Sequence, residues 1–147
     1  MNRLAGSAVC VHLLLAGLVT TACRQPPPEQ QFRDITVYRP IGTWTGRGPQ
    51  QTEAFIGQTG AFRVRWHTEN TPGTSNGTFR LFLHSSVSGR LLLTVAERQG
   101  AGGGEAHVVE DPREFFLVID ASGLEWSVTL DEAVSARAPV DGSDGTL

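Results

Sequence analysis

Ala61-Phe62-Arg63-Val64-Arg65-Trp66-His67 alternates apolar and polar side chains without a break. Successive side chains of a β-strand point to opposite faces, so Phe62, Val64 and Trp66 share one face while Arg63, Arg65 and His67 share the other. A helix would scatter both sets around its circumference. The stretch therefore predicts a strand of an antiparallel sheet with one dry face and one wet face. The same period of two recurs at Ile35-Val37, Phe79-Leu81-Leu83, Leu91-Leu93-Val95, Phe115-Leu117-Ile119 and Trp126-Val128-Leu130. Weaker strands are expected at Glu53 to Ile56 and Ala106 to Val109, and Val87 to Gly104 reads as a long strand entering a glycine-rich hairpin.

Turn residues separate these runs at Gly57 to Gly60, Thr71 to Gly77, Ser88-Gly89, Gly100 to Gly104, Asp111-Pro112 and Ser122-Gly123. Short strands punctuated this regularly predict an all-β fold. The expectation is a single antiparallel β-sandwich, jelly-roll-like, of about eight strands over residues 32–134. No helical period competes with it. The two cysteines, Cys10 and Cys23, both precede this region, so the core must hold without a disulfide. A chain of about 100 residues is long enough to do so.

Gly42-Thr43-Trp44-Thr45-Gly46-Arg47-Gly48, then Thr52, Glu53 and Phe55, the Phe62 to Trp66 strand, Phe115-Phe116-Leu117-Val118-Ile119-Asp120 and Trp126-Ser127-Val128 follow one pattern of packing and turn motifs. In these motifs the chain resembles small exported β-sandwich domains of an uncharacterised bacterial family, over most of Gly42 to Leu130. The resemblance implies a fold and an envelope location and carries over no catalytic residue. Pro112-Arg113 departs from it, since Pro-Gly is the commoner pair before the final hairpin.

The first 23 residues have their own logic. A basic head (Arg3) precedes an apolar stretch from Ala8 to Val19, and small residues lead to Cys23. That is the make-up of an export signal, and the apolar run is short of the roughly 20 residues a membrane helix needs. The segment resembles bacterial lipoprotein signals, in which the cysteine is acylated through sulfur and becomes the first residue after cleavage; Thr20 departs from the usual Leu. The resemblance implies a signal peptide over residues 1–22 and a lipid anchor on Cys23. Residues 23–31 then act as a linker whose Pro26, Pro27 and Pro28 favour an extended chain of about 3.1 Å per residue. Residues 135–147, polar and glycine-rich, are expected to be a disordered tail. The chain is thus expected to be exported to the cell envelope and anchored to a membrane.

Removing residues 1–22 takes away Arg3 and leaves 11 basic residues against 15 acidic ones, a net charge of −4 where the whole chain has −3. Every basic residue is arginine, and the arginines are dispersed along the chain. Mild acidity without a basic stripe argues against nucleic acid.

No catalytic constellation is legible. His67, His84 and His107 lack the spacing of a metal-binding helix motif, so no metal site or cofactor is expected. The serines sit in turns without a nucleophile elbow. Glu110, Asp111, Glu114, Asp131 and Glu132 read as solubilising residues at turns and strand ends. Trp66 and Trp126 run in phase with the core. Trp44, between threonines and glycines, is kept as a recognition candidate because an exposed indole suits sugar faces and interfaces. Arg63, Arg65 and His67 form a cationic row fitted to an anionic partner: lipid headgroups, an anionic envelope glycan or an acidic protein patch. The function expected is a non-catalytic binding or interaction module held at a membrane; the alternatives are a small cell-surface hydrolase and a carbohydrate-binding module.

Overall fold

A computed structural model describes residues 30–140, and these form nine strands in two packed antiparallel sheets. The strands are β1 (Phe32–Arg47), β2 (Gln50–Gln51), β3 (Phe55–Gly57), β4 (Ala61–Asn70), β5 (Thr78–Ser85), β6 (Leu91–Gln99), β7 (Gly102–Val109), β8 (Arg113–Ser122) and β9 (Leu124–Pro139). One sheet has the order β1-β9-β4-β7; in the other, β8 and β5 are central, β6 lies at one edge, and β2 and β3 share the opposite edge. The pairs β1 with β9, β2 and β3 with β8, β4 with β7, and β5 with β6 are those of one long hairpin folded over on itself. That is a jelly roll, with eight strand positions because β2 and β3 occupy one.

The alternation predicted from sequence places the core. Phe62 and Val64 on β4, Phe115, Leu117 and Ile119 on β8, and Trp126, Val128 and Leu130 on β9 are all buried between the sheets. Phe55, Phe62 and Phe115 form an aromatic cluster, with Phe62 edge-on to both others at 5.9 and 5.2 Å between ring centres. Edge-to-face contact sets ring hydrogens against a neighbour's π-face, and each fully buried side chain of this size contributes about 1.5–3 kcal/mol. Gly57 makes the cluster possible, since a Cβ there would lie 2.4 Å from Phe62 and 2.7 Å from Phe115.

Three expectations are corrected. The run from Val87 to Gly104 is not one long strand: the chain turns through residues 86–90, with Gly89 at φ 68°, before β6 begins. Gly103 and Gly104 lie inside β7, where side chains would strike the Trp66 carbonyl at 2.8 Å and the Trp66 indole at 2.4 Å. They are there to admit a tryptophan. The strand expected from Glu53 to Ile56 is displaced to β3, with the two-residue β2 before it; between β2 and β3 the buried Thr52 inserts its hydroxyl into the ladder, accepting the Leu117 amide at 3.0 Å. The expected tail boundary at Val134 is also displaced, since β9 continues to Pro139 against the start of β1.

That continuation gives the fold its asymmetry. Beyond Glu132, β9 has lost β4 as a neighbour and pairs only with β1. Phe32–Arg39 and Glu132–Pro139 therefore form a two-stranded ribbon at one end of the sandwich. Ile35 opposite Ala136 and Val37 opposite Val134 line one face of it, while Asp34 opposite Arg137 and Thr36 opposite Ser135 line the other. The proposed signal peptide, Cys23, most of the linker and residues 141–147 lie outside the described residues.

Candidate functional site

The outer face of the β1-β9-β4-β7 sheet collects most of the residues singled out from sequence. Arg63, Arg65 and His67 project from β4 on this face, as their alternation requires. Their charges do not stand free. Asp131 on β9, opposite Arg63, accepts from Arg63 Nε and Nη2 at 3.2 and 2.9 Å and from Arg65 Nη2 at 2.8 Å. One carboxylate thus gathers two guanidinium groups, and the Arg63 guanidinium also lies 3.7 Å from the centre of the Tyr38 ring. His67 Nε2 is 3.3 Å from Glu69 Oε1, and His107 Nε2 is 3.0 Å from Glu105 Oε1. Each member of the cationic row expected from sequence thus has an acidic neighbour, the two arginines sharing one carboxylate.

Towards the end of the sheet remote from the ribbon, this face holds a shallow depression of about 370 Å³ lined by Thr45, Arg47, His67, Glu69, Glu125 and Ser127. Strand register explains the grouping, because Thr45 faces Ser127, Ser127 faces His67, and Arg47 faces Glu125 and bonds to it. Beside it Thr43 and Thr129 exchange a hydroxyl hydrogen bond at 3.2 Å. The surface is dense in both donors and acceptors. It is fitted to hold groups that hydrogen-bond both ways and poorly fitted to attract charge from a distance.

Trp44 does not join this face. It pairs with Val128 in the ladder and packs, half-buried, against the core side, with Nε1 3.4 Å from Glu53 Oε1. Trp126 is buried and donates to the Gly48 carbonyl at 2.9 Å. Trp66 packs beside the core with its Nε1 buried and unpartnered. His84 belongs to the other sheet, where it stacks on Phe116 at 5.0 Å between ring centres and its Nδ1 donates to the Gly89 carbonyl. The three histidines therefore do not converge, and each of His67 and His107 has its carboxylate on the same strand two residues away.

Sequence reasoning missed Glu132. Taken as a solubilising residue at the end of the last strand, it is fully buried. Its Oε1 accepts the Thr59 amide at 2.6 Å and the Thr59 hydroxyl at 3.0 Å, and its Oε2 accepts from Arg39. Burial alone would push this carboxyl up, but the Thr59 amide, the Arg39 guanidinium and the Thr59 hydroxyl together outweigh it and hold the group below the ordinary carboxylate range. The signal was present in the chain, since Trp126-Val128-Leu130-Glu132 continues one inward phase. Asp131 was missed for a different reason: which strands lie beside β9 is a long-range fact.

No protein-family model matches the chain, and no curated protein does. Four chains of solved structures match it. One belongs to the structure of the infectious bursal disease virus Gx strain, at 9% identity and a TM-score of 0.34, covering 77% of this chain and 38% of that one.

Proposed function

We propose that the protein is an exported, membrane-anchored lipoprotein whose jelly-roll domain is a non-catalytic binding module. The depression between Thr45, Ser127 and His67 is its ligand-facing surface. The observation that carries this reading is the pairing of charge on the outer face: Arg63 and Arg65 are engaged with Asp131, and Arg47 with Glu125. Such a surface selects by hydrogen-bond geometry at short range, as a neutral envelope polymer or a polar protein patch would require. The anchor supports the same reading. Each buried methylene of an acyl chain contributes about 0.8 kcal/mol, and two or more chains hold a protein firmly, so the module would act at a high local concentration of envelope components.

Two measurements test it. Metabolic labelling with a fatty-acid probe marks the wild type and not Cys23→Ser, and equal labelling of both removes the anchor. Retention of the full chain on native envelope fragments drops for a Thr45→Arg/Ser127→Arg variant, which fills the depression, and changes little with salt. Equal retention of variant and wild type removes the depression from the function.

A further inference from the structure

The exposed large hydrophobic side chains are gathered at one end of the sandwich. Phe32 (56% exposed) and Val37 belong to the ribbon and Val140 follows it; Ile56 (67%), Val87 (84%) and Val109 (79%) lie on β3, in the β5–β6 turn and at the end of β7. Register puts the last three at the end of the sandwich from which the ribbon leaves: Ile56 pairs with Glu114, whose carbonyl accepts the amide of Ser86, the residue before Val87. Val109 pairs with Ala61, next to Phe62, whose partner Glu132 marks the root of the ribbon. Leu91 and Tyr38 are at the same end. At the opposite end, where the turns are Gly48-Pro49, Thr71 to Gly77, Gly100-Ala101 and Gly123, no large hydrophobic side chain among the described residues is exposed.

We infer that this end is a membrane-docking surface and that its occupant is the lipid bilayer carrying the protein's own anchor. This inference rests on the lipoprotein reading above. The chain enters the domain here, because Phe32 at the ribbon's tip follows Cys23 by only nine positions. Nine residues of chain, whatever their conformation, reach at most about 3.6 Å each, which bounds how far that tip stands from the lipid. The apolar side chains also come from separate pieces of chain rather than from one groove. A protein partner needs a packed, complementary patch, whereas a fluid lipid interface accepts separated side chains one by one. The ribbon supplies a second reason, since an isolated two-stranded ribbon is marginal in water and gains from burying its Val37 and Val134 face. Docking in this way points the Thr45, Ser127 and His67 depression, near the other end, away from the membrane.

The test uses the full chain, purified from membranes and reconstituted into phosphatidylcholine vesicles. An environment-sensitive fluorophore is placed on Val87→Cys, on Val109→Cys, or on Ser75→Cys at the opposite end. Acylation of Cys23 is verified by mass, and a parallel sample is tethered through an N-terminal histidine tag to chelating lipids, so that loss of the anchor and loss of docking are read separately. Emission from positions 87 and 109 shifts to the blue and is quenched by brominated acyl chains, while position 75 stays water-like; the shift survives high salt. Water-like emission at all three positions in the tethered sample overturns the inference. So does a blue shift that follows protein density and ignores brominated lipid, which would make a second copy of the chain the occupant.

Discussion

Arg39 on β1 reaches across the ladder to Glu132 on β9 at the point where the four-stranded sheet narrows to a two-stranded ribbon. Glu132 is fully buried and Arg39 about half exposed. The pair, with Thr59 from the β3–β4 turn, joins the ribbon's root to the body of the domain.

Acid should loosen this joint. The Glu132 carboxyl is held below its ordinary value when folded, so its contribution is complete above the ordinary carboxylate range and is lost as pH falls towards the folded value. Arg39→Ala leaves a buried carboxylate with only Thr59 and should cost about 3 kcal/mol. Denaturant melts across pH should show a steeper acid loss for the wild type than for Glu132→Gln. Parallel pH profiles for the two proteins would remove Glu132 from acid stability.

Trp126 and Trp66 should respond differently to the same change. Trp126→Phe strands the Gly48 carbonyl and loses a 2.9 Å hydrogen bond, whereas Trp66→Phe removes a buried donor that has no partner. Trp126→Phe should therefore be the more destabilising by about 1 kcal/mol. Equal losses in chemical denaturation would mean that volume alone decides both sites.

Gly60 and Gly89 both have φ near +70°, but only Gly60 is crowded. A Cβ at Gly60 would lie 1.8 Å from the Glu110 carbonyl oxygen, while one at Gly89 meets nothing within 4 Å. Gly89→Ala should cost the left-handed backbone penalty of about 1–2 kcal/mol. Gly60→Ala should cost clearly more, because the turn must also move away from the β7–β8 connection. Thermal melts that rank the two alike would show that the turn yields freely.

Asp131 should matter more than either arginine it binds. Arg65, half exposed, has one bond to it, so Arg65→Ala should stay within about 1 kcal/mol. Arg63→Ala should cost somewhat more, because Arg63 makes two bonds and covers Tyr38. Asp131→Ala leaves two guanidinium groups side by side and should exceed both, with the difference shrinking in salt. A salt-independent ranking would show that packing, and not charge, sets these values.

Local sequence determined strand phase. Side-chain direction in a strand depends only on parity, so Phe62, Val64, Leu117 and Val128 could be set inside, and Arg63, Arg65 and His67 outside, before any partner strand was known. The segment ending at Cys23, from which export and lipidation are expected, is also contiguous, and it lies outside the described residues. What neighbours what was decided only by the tertiary structure, because a strand's period says nothing about which distant strand pairs with it. Asp131 became the partner of Arg63 and Arg65 only through the β4–β9 register, and Glu132 met Arg39 only because β1 pairs with β9 along their full lengths. The gathering of Phe32, Ile56, Val87 and Val109 at one end is of the same kind, since residues up to 77 positions apart are brought together by the folding-over of one long hairpin.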